Sequence, residues 1–127
     1  MSFDVLLQGF RNGQVADGDP AAVMRILSPY FKAPPDDSFA CIVTSDGEAD
    51  VYGIGRPSAS LMFNRIGGEQ AWQLMYEVAR DAGLAIMPVG CATCICTAEQ
   101  ERDLPPELRD QVRVVQSGAD IVRAIGS

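Results

Sequence analysis

Three cysteines that lie close together in the sequence have the residue type and spacing of a metal site. They form the pattern Cys91-x-x-Cys94-x-Cys96, directly after the apolar run 84–89. A C-x-x-C turn can direct two sulfurs onto one soft metal ion, and Cys96 can join them if Ile95 points away. We therefore take these three cysteines as candidate metal ligands.

A fourth cysteine is distant from the other three in the sequence. Cys41 lies in an apolar segment, and it would complete a four-thiolate site if that segment lay beside the cysteine loop. Four thiolates suit zinc or an iron–sulfur cluster. The alternation of Cys41 with Phe39 and Val43 predicts instead a small, buried apolar side chain without a chemical role.

Two other interpretations of the cysteine loop stay open. A C-x-x-C motif between a strand and a helix is typical of dithiol redox proteins, because the helix N-terminus lowers the pKa of a thiol. Here the motif follows the fifth predicted strand, and it lacks the flanking aromatic residue and Gly-Pro pair of thioredoxin-like proteins. The simplest interpretation is that the three cysteines are incidental small residues in a partly buried loop.

The sequence contains no histidine. Its absence removes the commonest general base, the commonest zinc ligand and every Ser-His or Cys-His nucleophile pair. The phosphate-binding patterns G-x-x-x-x-G-K-[ST] and G-x-G-x-x-G are also absent from the sequence. Because no motif specifies catalysis, we expect a protein that binds rather than catalyses.

The charged residues favour a protein partner over nucleic acid or a membrane. The net charge is −7, from 17 acidic and 10 basic residues. Nucleic acid and anionic membranes attract clusters of Lys and Arg, whereas an acidic surface attracts a basic protein. Solubility alone also accounts for such a charge. The candidate partner contacts lie on a predicted hairpin and near a predicted short helix: Asp46, Glu48, Asp50, Glu99, Glu101 and Asp103.

The length of the chain predicts one domain over residues 1–127. No apolar run approaches the roughly 18 residues that suggest a membrane span. Asp4 precedes the first apolar run and Arg11 follows it, which reverses the charge order of a signal peptide. We therefore expect a cytoplasmic protein, in which cysteines stay reduced.

Hydrophobic periodicity predicts an α+β domain with a mixed sheet and the element order β-α-β-β-β-α-β-(short α)-β-α. The predicted strands are residues 3–10, 38–44, 49–54, 60–66, 84–89 and 112–116. The predicted helices are residues 20–28, 69–82, a short one at 97–103, and a last one after Ser117.

The connections between the predicted strands indicate how the strands pair. Asp46-Gly47 supplies the positive φ angles of a tight hairpin turn. The three strands within 38–66 form an antiparallel meander, because their connections are too short for crossover helices. The helical connection between 84–89 and 112–116 predicts that these two strands are parallel neighbours.

Four segments together carry a resemblance to a known group of proteins: MSFDVLLQGF, EADVYG, LPPEL and VVQSGADI. With them the chain resembles a group of small acidic uncharacterised bacterial proteins over nearly its full length. The resemblance implies no activity, cofactor or catalytic residue. A small acidic α+β domain without catalytic residues is also similar in kind to immunity proteins that neutralise secreted toxins. The sequence thus predicts a cytoplasmic binding domain with an acidic interaction face, and the alternative is a Cys-ligated metal or dithiol redox protein.

Overall fold

A mixed β-sheet lies at the centre of the fold, and the computed structural model describes residues 3–126. The strands are β1 (Val5–Arg11), β2 (Gln14–Ala16), β3 (Phe39–Val43), β4 (Glu48–Tyr52), β5 (Leu61–Asn64), β6 (Ala85–Pro88), β7 (Thr93–Ile95) and β8 (Val112–Val114). In space they follow the order β3-β4-β5-β1-β6-β7-β8, and β2 pairs with β1. Paired strands are antiparallel except β7 and β8, which are parallel. The predicted α+β class with a mixed sheet is confirmed.

Three α-helices cover one face of this sheet: α1 (Pro20–Leu27), α2 (Gln70–Ala82) and α3 (Gly118–Gly126). Asp19 caps α1 by accepting a 3.0 Å hydrogen bond from the Ala21 N–H. α2 buries the apolar stripe that the sequence periodicity predicts, and it ends at Gly83, whose φ of 75° is left-handed. None of the helices in the described part of the chain is long and apolar enough to cross a bilayer.

Two apolar clusters lie on opposite faces of the sheet. The larger cluster lies under the α-helices and contains Leu7 of β1, Phe63 of β5 and Met75 of α2, all of them buried. The smaller cluster lies on the other face, where two short 3₁₀ helices within residues 98–108 cover β6 and β7 through Leu104. The rest of that second face extends from β3 through β1 to the end of β6 and retains partly exposed side chains. We call it the open face.

The structure confirms the antiparallel meander of β3, β4 and β5. In the turn between β3 and β4, the Thr44 N–H donates a 2.8 Å hydrogen bond to the Gly47 carbonyl. Neither Asp46 nor Gly47 has a positive φ, so that part of the hairpin prediction is wrong. Glycine is needed at position 47 for a different reason, because a β-carbon there would overlap the backbone of Gly67.

Two strands are absent from the sequence prediction. β2 pairs with β1 across the Asn12-Gly13 turn, whose φ values of 52° and 81° are those of a tight hairpin. β7 lies within the predicted cysteine loop and separates β6 from β8 in the sheet. The prediction that 84–89 and 112–116 are parallel neighbours is therefore wrong, because β8 pairs in parallel with β7. All three residues of β7 are buried, because both faces of this strand are covered. They therefore show no alternation of polar and apolar residues that would predict a strand.

Gly118 allows α3 to pack closely against α2. A β-carbon on Gly118 would overlap backbone atoms of Trp72 and Gln73, whereas Gly126 in the same helix faces open space. We expect Gly118→Ala to lower the free energy of unfolding by about 1–3 kcal/mol, because overpacking outweighs the gain in helix propensity. The matched control, Gly126→Ala, should change it by less than about 0.5 kcal/mol. Urea unfolding followed by Trp72 fluorescence measures both, and equal losses would contradict the close packing.

Candidate functional site

A line of apolar side chains crosses five strands of the open face at one level of the sheet. Phe39 of β3 lies opposite Tyr52 of β4, which lies opposite Met62 of β5. Leu6 of β1 lies opposite Met62 on one side and opposite Met87 of β6 on the other. We call these five residues the apolar row. At the usual strand spacing the row is about 19 Å long.

The apolar row is accessible because the three α-helices pack on the other face of the sheet. Leu6 and Tyr52 are each 41% exposed. The rings of Phe39 and Tyr52 contact each other with their centroids 5.0 Å apart and their planes tilted. Around Leu6, Met62 and Met87 the surface forms a depression of about 270 Å³. The row therefore offers both apolar area and a concave feature to a partner.

Carboxylates border the apolar row on one side. Two residues before Tyr52 in β4, Asp50 lies opposite Asn64 of β5. The Asn64 side-chain amide donates a hydrogen bond to the carboxylate of Asp4. Glu48 lies two residues before Asp50, at the start of β4. We call Asp4, Glu48 and Asp50 the acidic border, and it contains two of the predicted partner contacts.

A guanidinium and neutral polar groups border the row on its other side. Two residues after Leu6 in β1, Gln8 accepts a 2.8 Å hydrogen bond from the Ser60 hydroxyl. Arg56 lies in the turn that follows β4 and lines the depression together with Gln8. We call Gln8, Arg56 and Ser60 the basic border. Lys32, whose N–H donates a 2.9 Å hydrogen bond to the Cys41 carbonyl, adds one positive charge beside the acidic border. The acidic border remains net negative and the basic border carries Arg56, so the open face has an electrostatic direction along the strands.

Cys41 lies on the open face, opposite Asp50. Its sulfur is 3.7 Å from the Glu48 Oε2 atom. Desolvation, followed by the charges of Glu48 and Asp50, raises the pKa of the Cys41 thiol. The prediction that alternation buries Cys41 is wrong, because Ala40 and Ile42 of the same strand face the core instead.

The three clustered cysteines lie in different environments. Cys94 of β7 is fully buried under the α-helices, and Cys96 packs against the same cluster. Burial raises the pKa of each of these two thiols to about 11. Cys91 lies before β7 and lines a cleft of about 640 Å³ together with Arg109 and Arg113. The sequence pattern therefore spans a buried strand and an open cleft, not one loop.

A shared metal site would require the thiols to converge. Four strands separate β3 from β7, about 24 Å at the usual spacing, so the condition for Cys41 as a fourth ligand is not met. Ile95 does face the other side of the sheet, but Cys94 is buried in the core, and Cys96 is partly buried against it at the edge of a cavity of about 330 Å³. Residues 3–126 contain no group of three or more His, Cys, Asp or Glu side chains placed to hold a metal ion.

Asp46 has a structural role at the start of α2. Its carboxylate accepts hydrogen bonds from the N–H groups of Glu69 (2.8 Å) and Gln70 (3.3 Å) and from the Thr44 hydroxyl (3.1 Å). The Glu69 side chain makes no capping hydrogen bond of its own, so Asp46 supplies the cap from the β3–β4 turn. The bond from the Glu69 N–H is the main cause of the lowered pKa of Asp46. The carboxylate of this predicted partner contact is therefore already engaged in hydrogen bonds within the fold.

The second predicted acidic group lies far from the β3–β4 hairpin. Glu99, Glu101 and Asp103 belong to the 3₁₀ helix Ala98–Asp103, which follows β7. The Asp103 carboxylate accepts a 3.1 Å hydrogen bond from the Asn12 N–H and thereby holds the β1–β2 turn. Since β4 and β7 are separated by three strands, the structure does not bring the two predicted acidic groups together on one surface.

The sequence patterns do not identify the apolar row. Its members come from five strands, and only the register of the sheet brings them together. One available signal is that β3 carries apolar residues on both of its faces. A sheet covered by helices on one face leaves the other face to solvent or to a partner, so such a strand indicates a second apolar surface.

Comparisons of the chain with protein-family models, with curated proteins and with solved structures found no match.

The open face combines contact area with charge. The apolar row supplies Tyr, Phe and Met, which are enriched in protein interfaces, and the two borders supply the polar rim. An apolar centre with a polar rim is typical of protein–protein interfaces.

The lowered pKa of Asp46 predicts how acid affects stability. Because the folded pKa lies below the unfolded one, the ionised cap stabilises the fold above the unfolded pKa, and this stabilisation is lost as the pH falls through the folded pKa. We expect Asp46→Asn, whose amide does not titrate, to lose less stability than the unmodified protein between about pH 6 and pH 3. Urea unfolding at a series of pH values tests this, and parallel pH profiles would contradict it.

The burial of Cys94 predicts a large difference in thiol reactivity between the folded and unfolded protein. A pKa of about 11 in place of the usual 9.0 lowers the thiolate fraction about a hundredfold at neutral pH. We expect alkylation of Cys94 by iodoacetamide to be at least about a hundredfold slower in native protein than in urea. Cys91, which lines the open cleft, is the internal control and should be protected far less. Peptide mass spectrometry measures both sites, and equal protection of the two would contradict the different environments of Cys91 and Cys94.

Proposed function

We propose that this protein is a non-catalytic binding domain that docks a protein partner on its open face. The observation that carries the proposal is the apolar row, five side chains in register across adjacent strands. Single exposed apolar side chains are ordinary on protein surfaces, but a contiguous patch marks an interaction site. The row and its borders extend about 19 Å across the strands and about 20 Å along them, which gives roughly 400 Å² of contact surface.

The chemistry of the borders limits the partner. The acidic border, Asp4, Glu48 and Asp50, requires basic or hydrogen-bond-donating groups opposite it, and the apolar row requires apolar side chains at the centre. This refines the acidic interaction face expected from the sequence. Only the acids at one end of the sheet contribute, while Asp46 caps a helix and Asp103 holds a turn.

One feature supports the placement of this binding domain in the cytoplasm. All four cysteines are free thiols, and such thiols persist in a reducing compartment. The cysteine-based alternative has weaker support, because Cys94 is buried in the core and Cys96 is partly buried against it. We therefore favour binding over metal or redox chemistry.

Site-specific photo-crosslinking in the cells that naturally express the protein tests the proposed function. With p-benzoylphenylalanine in place of Tyr52, we expect a defined covalent adduct with a partner protein. The same group in place of Val122, which is similarly exposed (44%) but lies on α3, is the matched control and should give no such adduct. Asp50→Lys should reduce the adduct at position 52 by at least about tenfold, since it reverses a border charge. Identical adduct patterns at both positions, or none at position 52, would contradict the proposal.

A further inference from the structure

We infer, on the basis of the proposed function, that the partner on the open face is a second copy of this chain. The two copies would pack with their open faces together, related by a two-fold axis that lies between the sheets and runs along the apolar row. Such an interface is self-complementary, because each residue contact occurs twice. The distribution of charge on the open face carries the inference.

The two borders lie on opposite sides of the apolar row along the same strands. In the line of β4, Asp50 precedes Tyr52 by two residues, and Arg56 follows Tyr52 in the next turn. In β1, Asp4 precedes Leu6 by two residues, and Gln8 follows it by two.

A two-fold axis along the row exchanges the two sides of the face. It places Asp50 of one copy over the Arg56 turn of the other, and Asp4 over Gln8. Each acidic border therefore meets the basic border of the other copy, and the apolar rows meet at the centre. A two-fold axis along the strands would instead place acidic border on acidic border, which is repulsive.

The available area indicates a weak dimer. Roughly 400 Å² from each copy gives about 800 Å² in total, which is below the size of stable specific interfaces and in the range of weak, transient ones. A net charge of −7 on each copy opposes association, so the pairing of Arg56 with a carboxylate is needed to orient the copies. We expect a dimer with a dissociation constant in about the micromolar range.

Sedimentation velocity of the purified full chain from about 1 to 500 µM tests the inference. We expect a reversible monomer–dimer equilibrium that Leu6→Lys weakens by at least about tenfold. Val122→Lys is the matched control, because Val122 is as exposed as Leu6 (44% against 41%) but lies on α3, and it should leave the equilibrium unchanged. Far-UV circular dichroism of each variant checks that the fold is intact. A monomer at every concentration, or equal effects of the two variants, would overturn the inference.

A charge swap tests the orientation of the two copies. Asp50→Arg alone and Arg56→Asp alone should each weaken the dimer by at least about tenfold, because each places like charges opposite one another. The double variant restores opposite charges and should return the dissociation constant to within about threefold of the original. Failure of this rescue would overturn the proposed axis.

The outcome also separates this inference from the proposed function. A monomeric protein that still gives an adduct with a different protein at position 52 overturns the second copy and leaves the open face as a binding site. A monomeric protein without that adduct overturns both. A crosslinked dimer at position 52 supports both.

Discussion

The packing of all three α-helices on one face of the sheet is the constraint on which the rest of the structure depends. Alternation along each strand sends half of the side chains, such as Leu7 and Phe63, into the core under these helices. The other half must face something else. The segment 98–108 covers only the β6–β7 side through Leu104. The apolar row is therefore a consequence of the layer arrangement, because too few elements remain to cover the second face.

The helix layer is held to the sheet by contacts that leave little freedom. The Asp46 carboxylate joins the β3–β4 turn to the start of α2. On the other side of α2, the Gln73 side chain accepts a 2.9 Å hydrogen bond from the Gly118 N–H, where α3 begins. The strands below are held in place by this layer and by the backbone hydrogen bonds between them. The apolar row is therefore already arranged before a partner binds. Such preorganisation lowers the entropic cost of association.

Strong local patterns explain which parts of the fold are predictable from the sequence. α2 is long enough for its apolar periodicity to predict the buried stripe. The strands within 38–66 have short connections, which predict the antiparallel meander. β3 is different, because Phe39 and Cys41 alternate with Ala40 and Ile42 and both sets are apolar. The pattern does not tell which set is buried, and size misleads, since the core side includes the small Ala40. The remaining error is topological, because nothing local predicts that β7 lies between β6 and β8.

The cysteines show why spacing alone is weak evidence for a metal site. A C-x-x-C motif binds metal when the backbone turns between its two cysteines, so that both sulfurs face one point. Here the chain straightens into β7, which buries Cys94 in the core and leaves Cys96, just after the strand, partly buried against the same cluster. In that position a cysteine behaves as a small apolar residue, and its raised pKa is the expected result of burial. The same strand that removes the thiols from solution also completes the sheet beside β6. The cysteine motif is therefore less reactive than its spacing suggests, because its residues help to build the sheet that supports the open face.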